Sequence, residues 1–184
     1  LSTDIPAAGD FDGDGKADVS VYRAGLTPGS QSFFFYRGSL NNPSGNITYV
    51  PWGTSGDTVT QGDYDGDGKG DFCVRRNIGG AGWFIILKAS GGVEYISWGL
   101  PTDAIVPCDF DGDAKTDISI YRPPVAEWWY SRSSDGQVPA AQFGASGDKP
   151  VPADFTGDRK TDIAFWRPSN GFWFMLRSED ASFL

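Results

Sequence analysis

The chain is built from short apolar runs that alternate with polar, glycine-rich turns. Four of these runs have a period of two, with a β-branched or aromatic residue at every second position: Val19–Arg23, Phe72–Arg76, Ile118–Arg122 and Ile163–Arg167. This period predicts β-strands. The other face of each run is not polar either, which is typical of a strand that is covered on both sides. Nowhere does the pattern predict a long helix.

Three further strands are predicted around each of these four runs. One precedes it, an aromatic run that ends near a basic residue follows it, and a last strand ends on an aromatic residue and glycine. The predicted first strands are Ile5–Gly9, Thr58–Gly62, Ala104–Cys108 and Pro150–Ala153. The predicted third strands are Phe33–Arg37, Trp83–Lys88, Trp128–Arg132 and Phe172–Arg177, and the fourth strands are Ile47–Trp52, Val93–Trp98 and Val138–Phe143.

The same unit therefore occurs four times, approximately at residues 1–53, 54–99, 100–144 and 145–184. A period of about 40–50 residues is typical of propeller blades. One four-stranded blade cannot bury both of its faces alone, so it must pack against neighbouring blades. We therefore predict an all-β array of β-propeller blades, each a four-stranded antiparallel sheet, with the last blade incomplete.

An acidic loop joins the first and second strands of every repeat. Carboxylates recur at loop positions 1, 3, 5 and 9, a pattern that surrounds a hard cation with oxygen ligands, while position 7 contributes a backbone carbonyl. The predicted calcium ligands of the four loops are Asp10, Asp12, Asp14, Lys16 and Asp18; Asp63, Asp65, Asp67, Lys69 and Asp71; Asp109, Asp111, Asp113, Lys115 and Asp117; and Asp154, Thr156, Asp158, Lys160 and Asp162. The four lysines are included for their carbonyl oxygens only.

The distribution of charge supports this interpretation. Fifteen of the 24 acidic residues lie in the four loops, and four calcium ions would change the net charge from −9 to about −1. The acidity argues against a nucleic-acid partner, which would require a basic face. Histidine is absent, which disfavours zinc enzymes and histidine general bases. No apolar run approaches the roughly 18 residues of a membrane span, so we expect no membrane insertion.

Three residues in loops 3 and 4 depart from the pattern of loops 1 and 2, which predicts different affinities. Loop 4 has Thr156 where the others have aspartate, and Arg159 where loops 1 and 2 have glycine. Loop 3 has Ala114 at that same position. Glycine adopts a positive φ without a Cβ penalty, whereas alanine and arginine do so less readily. We expect loops 1 and 2 to bind calcium best, followed by loop 3 and then loop 4.

The motif Gly-Asp-Phe-Asp-Gly-Asp-Gly-Lys-Ala-Asp at residues 9–18, followed by an alternating strand, resembles the FG-GAP/VCBS repeat. This repeat forms the blades of integrin α-subunit propellers and of many secreted bacterial proteins, and the stretch Trp166–Trp173 is similar to bacterial arrays of the same kind. The resemblance implies calcium at the blade rim and residence outside the cell or on its surface. Because such propellers usually have more than four blades, we expect a segment of a larger or assembled propeller, with other protein chains or further repeats as partners.

Several residues allow two interpretations. The repeated Arg23, Arg76, Arg122 and Arg167 could clamp a ligand, but their repetition favours ion pairs with a repeat carboxylate such as Asp57 or Asp103. The tryptophans could stack on sugars, although packing between blades is the simpler explanation, with Trp128-Trp129 the best exception. Cys73 and Cys108 occupy small-residue positions, and whether they pair is open, as is glycosylation of Asn46.

The sequence thus predicts a non-enzymatic, calcium-binding propeller segment that serves adhesion, structure or assembly. The alternative is a carbohydrate-binding propeller with repeated aromatic sites, which would make glycans partners. A glycosidase would need a pair of carboxylates outside the metal loops. The acids outside the loops that do not recur with the repeat show no such pairing; they are Glu94, Glu127, Asp135, Glu179 and Asp180.

Overall fold

The computed structural model describes residues 3–40 and 42–183. Those residues form fifteen strands and no helix. Blade 1 contains β1 (Ile5–Pro6), β2 (Val19–Arg23), β3 (Gln31–Arg37) and β4 (Thr48–Thr54), and blade 2 contains β5 (Thr58–Val59), β6 (Phe72–Ile78), β7 (Ala81–Leu87) and β8 (Val93–Ser97). Blade 3 contains β9 (Ala104–Ile105), β10 (Ile118–Arg122), β11 (Glu127–Ser131) and β12 (Ala140–Gln142), and blade 4 contains β13 (Lys149–Pro150), β14 (Ile163–Arg167) and β15 (Phe172–Leu176).

Each blade is a separate antiparallel sheet in which strands that follow one another in sequence are hydrogen-bonded neighbours. This is the arrangement of a propeller blade, so the predicted fold class is confirmed. Blade 4 has three strands and an isolated bridge between Leu176 and Phe183, as its incompleteness predicted. The chain divides into an N-terminal unit, Leu1–Pro101, with blades 1 and 2, and a C-terminal unit, Thr102–Leu184, with blades 3 and 4.

The first strand of each blade is shorter than predicted. In blade 2 the predicted segment Thr58–Gly62 contributes only Thr58–Val59 to β5. Beyond it the Thr60 N–H donates to the Cys73 carbonyl at 3.0 Å, and Gly62 forms an isolated bridge with Asp71. The pairing loosens there because the two chains separate to form the acidic loop. All four second strands begin at the predicted residue, and β2, β10 and β14 also end at the predicted residue.

Aromatic residues from blades 1 and 2 form the core of the N-terminal unit. Tyr22 and Phe34 of blade 1 are fully buried, with ring centroids 5.0 Å apart, and Phe34 meets Phe72 of blade 2 at 5.3 Å. The Trp52 indole N–H donates to the Ile85 carbonyl of blade 2 at 3.1 Å. Blade packing therefore accounts for Trp52, as the simpler interpretation predicted.

The C-terminal unit repeats this plan with different residues. Trp128 is 1% exposed, contacts Tyr121 at a centroid distance of 4.9 Å, and donates its indole N–H to the Phe143 carbonyl at 2.8 Å. Phe143 lies 5.0 Å from Phe165 of blade 4. The neighbouring Trp129 is only partly buried and donates to Glu127, because successive strand residues point to opposite faces.

The repeated arginines form bidentate ion pairs with the repeated aspartates. The Nε and Nη2 groups donate to both carboxylate oxygens at 2.7–3.0 Å in the pairs Arg23–Asp4, Arg76–Asp57, Arg122–Asp103 and Arg167–Asp148. Each aspartate side chain is at most 8% exposed, whereas each arginine is about one-third exposed. The pairs join the end of the second strand to the start of the first, so their structural interpretation is confirmed.

Replacing Arg167 by leucine should destabilise the C-terminal unit, because it leaves the buried Asp148 carboxylate without its cation. Breaking a fully buried pair costs about 3–5 kcal/mol, and we expect about 1–3 kcal/mol here because Arg167 is 29% exposed. Urea denaturation gives the free energy of unfolding. Lys149→Leu, at an exposed position of the same blade, is the control and should change it by less than about 0.5 kcal/mol.

The difference between the native protein and Arg167→Leu should depend on pH. Hydrogen bonds from Arg167 lower the pKa of Asp148, so the stability from this pair is fully present above the ordinary aspartate pKa of about 3.9. It is lost as the pH falls further, through the lowered pKa of the folded state. An unchanged difference from pH 7 to pH 3, or a substitution no worse than Lys149→Leu, would contradict this account.

Candidate metal centres

The first aspartate of each acidic loop organises the backbone of that loop. In loop 1 the Asp10 Oδ1 accepts the Gly13 N–H at 2.7 Å, and its Oδ2 accepts the Gly15 N–H at 2.7 Å. Asp63, Asp109 and Asp154 accept the same two hydrogen bonds, from the N–H groups at positions 4 and 6, at 2.6–3.0 Å. The four loops therefore have one backbone conformation despite their sequence differences.

That conformation requires a positive φ at position 6, where the sequence predicted a sharp turn. The φ angles there are 81° at Gly15, 82° at Gly68, 69° at Ala114 and 71° at Arg159. Alanine and arginine are thus held in the left-handed region, in which a Cβ costs conformational energy. Loops 3 and 4 therefore carry the backbone strain on which the expected order of affinities rests, and that order remains a prediction.

The ninth residue of each loop is a buried aspartate. Asp18, Asp71, Asp117 and Asp162 are at most 2% exposed. Each carboxylate accepts the backbone N–H of loop position 2 at 2.8–2.9 Å. Burial raises the pKa of Asp71 and of Asp117 above the ordinary value, since water no longer solvates the charge. Holding these groups ionised therefore costs free energy unless a positive charge lies nearby.

Three of the four loops bring three carboxylates together. In each group one oxygen per residue lies within 4.8 Å of the others, and the groups are Asp10, Asp12 and Asp18; Asp63, Asp65 and Asp71; and Asp109, Asp111 and Asp117. In addition, the buried Oδ1 of Asp12 has no hydrogen-bond donor among the described residues. These positions, 1, 3 and 9, could hold a cation. Loop 4 has Thr156 at position 3, and its described residues form no such group.

The aspartates at position 5 lie outside these groups. Asp14, Asp113 and Asp158 each accept a serine hydroxyl at 2.7–3.0 Å, and all four position-5 carboxylates accept the N–H of the lysine at position 7. Lys16 also turns its ammonium group to Asp14 at 3.1 Å. The participation of the lysine carbonyls and of Asp14, Asp67, Asp113 and Asp158 remains a prediction.

A serine-containing segment that follows the third strand of each blade closes the loop, and sequence reasoning missed it. We call this segment, residues 38–40, 89–90, 133–134 and 178, the serine turn. Its backbone N–H groups at Ser39, Ala89, Ser133 and Ser178 donate to the ninth aspartate at 2.7–2.9 Å. Serine hydroxyls also reach position 3, from Ser90 to Asp65 and from Ser134 to Asp111. The signal was present, since a serine occurs within two residues after Arg37, Lys88, Arg132 and Arg177.

Within each unit the two acidic loops are also connected to each other. The Gly70 N–H of loop 2 donates to the Asp10 carbonyl of loop 1 at 2.5 Å. In the C-terminal unit the Thr161 N–H donates to the Asp109 carbonyl at 2.7 Å. The backbones of neighbouring loops are thereby joined directly.

The two cysteines are free thiols, and each lies beside an acidic loop, with Cys108 directly before Asp109 and Cys73 two residues after Asp71. Cys73 belongs to the N-terminal unit and Cys108 to the C-terminal unit. Burial raises the pKa of Cys108 to about 11 and that of Cys73 further still. Neither thiol is therefore activated as a nucleophile at neutral pH.

No protein-family model matches the chain, and comparison with curated proteins gives no match. In the part of the chain that the structure describes, there is no helix long and apolar enough to cross a membrane.

The positive φ at position 6 predicts the effect of two opposite substitutions. Ala114→Gly should stabilise the protein by about 0.5–1 kcal/mol, because glycine adopts this conformation without the Cβ penalty. Gly15→Ala, the matched change in loop 1, should destabilise it by a similar amount, since a Cβ there has no atom within 4 Å to clash with. Thermal unfolding measures both. Two shifts of the same sign would contradict the explanation.

Proposed function

We propose that the acidic loops bind Ca²⁺ and that the chain is a non-enzymatic, calcium-stabilised propeller segment of the FG-GAP/VCBS type. Its role is adhesion, structure or assembly outside the cell or on its surface. The observation that carries the proposal is the convergence of three carboxylates within 4.8 Å in each of three loops, with the ninth aspartate buried. Loop 4, with one carboxylate fewer, is a weaker fourth site.

Electrostatics supports a bound cation. Two carboxylate charges about 4–5 Å apart repel by about 3–4 kcal/mol at an effective dielectric constant of 20. Each group contains three such pairs, and the buried oxygen of Asp12 has no donor among the described residues. A divalent cation among the oxygens converts this repulsion into attraction and gives that oxygen a partner.

The chemistry of the donors favours calcium over other metals. All candidate ligands are oxygens, and Ca²⁺ takes six to eight of them in flexible geometry, whereas Mg²⁺ requires a near-ideal octahedron. Zinc prefers nitrogen and sulfur ligands, and the chain has no histidine. The residues of the loops therefore fit calcium, which would supply charge neutralisation there.

A structural role fits the loops better than a signalling role. Position 12, where an EF-hand has a bidentate glutamate, is Val21, Val74, Ile120 or Phe165 in a strand. The loop joins the first two strands of a blade, and the loops within a unit are hydrogen-bonded to each other. A cation in the loop would thus hold together the blade and its neighbour.

Exposed apolar residues support an assembly role with other chains or further repeats. On blade 4, Phe172 is 63% exposed, Trp173 is 61% exposed and Phe155 is 50% exposed. Blade 1 exposes Val19 and Tyr49 at 78% and 65%. Surfaces of this kind mark interaction sites. The exposed ring of Trp173 also suits the alternative of carbohydrate binding, because flat rings stack on sugar faces.

Calcium should raise the thermal stability of the native protein, and a chelator should lower it. A site filled at a hundred times its Kd adds about 2.7 kcal/mol. Asp12→Asn tests loop 1 specifically. Asparagine keeps one oxygen that accepts the Leu40 N–H, and it replaces the charged Oδ1, which no described residue donates to. We expect calorimetry to show one fewer site and a smaller calcium-induced rise in Tm.

With chelator present, Asp12→Asn should unfold at the temperature of the native protein or slightly above it, because less repulsion remains in loop 1. Asp180→Asn, an exposed acid outside the loops, is the control and should leave the calcium response unchanged. No heat of binding at millimolar calcium, with Tm unaffected by chelator, would refute the proposal.

A further inference from the structure

The C-terminal unit contains a cavity of about 310 Å³ between blades 3 and 4. One part of its wall is apolar and includes Phe110, Tyr130 and Ile163. Another part carries three basic side chains, Arg132, Lys160 and Arg177. Its volume lies at the lower end of the range for small-molecule sites, about 300–1,000 Å³.

The cavity exists because one strand residue is smaller than its counterpart in the N-terminal unit. The second strand of blade 2 starts with Phe72, which stacks on Phe11 with centroids 4.9 Å apart. The second strand of blade 4 starts with Ile163, and there Phe110 stacks instead on Tyr130 at 4.6 Å. Isoleucine has no ring to fill the space between the blades.

The basic residues also distinguish the two units. In blade 3 the first residue of the second strand, Ile118, pairs with Ser131, and Arg132 follows it. In blade 1 the residue at the matching position is Gly38. Arg177 corresponds to Lys88 of blade 2, whose ammonium group forms an ion pair with Glu94 at 2.7 Å. The cavity thus has one more cation than the equivalent place in the N-terminal unit.

Two N–H donors of the cavity wall make no hydrogen bond to the described residues. The Nε–H groups of Arg132 and Arg177 are buried without a hydrogen bond to any described residue, which is unusual for a charged group. Lys160 has no carboxylate within ion-pair distance in residues 3–40 and 42–183. Carboxylates lie near both guanidinium groups without accepting a hydrogen bond from either Nε–H. Asp111 lies 3.6 Å from the Arg132 Nε, and Asp135 lies 3.4 Å from its Nη1. Glu179 pairs with the Arg177 Nη2, and Asp180 lies 3.9 Å from its Nη1.

We propose that this cavity binds a carboxylated sugar, of the uronic acid class. The ligand carboxylate accepts hydrogen bonds from the Nε–H groups of Arg132 and Arg177 and pairs with Lys160, in charge-assisted contacts. The apolar face of the sugar ring packs against Tyr130. Asp111 in the same wall accepts a hydroxyl hydrogen bond, which favours a sugar acid over a bare inorganic anion. Asp111 is also a candidate calcium ligand of loop 3, so its contact with the sugar rests on the proposed function, whereas the contacts of Arg132, Arg177 and Lys160 do not.

The test is a titration of the full chain with methyl glucuronoside, followed by calorimetry or ligand-observed NMR at one fixed calcium concentration. Methyl glucoside, benzoate and inorganic phosphate are the comparison ligands, and they lack, respectively, the carboxylate, the hydroxyls and the sugar ring. We expect saturable binding of the glucuronoside and at least about tenfold weaker binding of each comparison ligand.

Three variants locate the site. Ile163→Phe should abolish binding by filling the cavity while the protein remains folded, because Phe72 occupies the matching position in blade 2. Arg177→Gln should weaken binding by about tenfold or more. Lys88→Gln, the matched change in the N-terminal unit, should leave it unchanged. Circular dichroism checks that each variant is folded.

Three outcomes would overturn the proposal. The first is no saturable binding of the glucuronoside at tens of millimolar. The second is equal affinity for the glucuronoside and for methyl glucoside or phosphate, which indicates either a neutral-sugar surface or a general anion site. The third is unchanged binding by a folded Ile163→Phe variant, which places the ligand elsewhere.

Discussion

The buried aspartate at the ninth position of each acidic loop is the interaction on which each blade depends. Asp71, for example, accepts the Tyr64 N–H from its own loop at 2.8 Å and the Ala89 N–H from the serine turn at 2.7 Å. One carboxylate therefore joins the first, second and third strands at one end of the blade. Burial raises its pKa, so holding it ionised costs free energy that a nearby positive charge would offset.

The other end of the first two strands is held by a second carboxylate with its own cation. There the Arg76 guanidinium forms a bidentate pair with Asp57, and the pair is complete within the protein. The two ends differ in the source of their positive charge. The aspartate paired with arginine has its counter-charge built in, whereas Asp63, Asp65 and Asp71 converge without an ion pair to any described basic side chain. Lys88 acts on Asp65 and Asp71 from further away and is itself paired with Glu94. Calcium supplies the missing charge in our proposal, and the inter-loop hydrogen bond from Gly70 extends its effect to blade 1.

Much of this arrangement could be predicted because it repeats. The four loops, the second strands and the arginine–aspartate pairs recur at fixed spacing, and a repeated signal separates structural residues from accidental ones. The serine turn was missed because its serines shift by one position between blades, so that Ser39 aligns with Ala89 and Ser133. The cavity could not be predicted, since it results from a difference between repeats, Ile163 in place of Phe72, whose effect depends on which rings meet across the blades.

The most direct test of the account is a crystal structure grown with calcium and measured for anomalous scattering. We predict anomalous peaks in loops 1, 2 and 3, each about 2.3–2.6 Å from an oxygen of the aspartates at positions 1, 3 and 9, with a weaker peak in loop 4. Loops without anomalous signal at millimolar calcium, their carboxylates contacting only water or lysine, would contradict the claim that divalent cations hold the blades together.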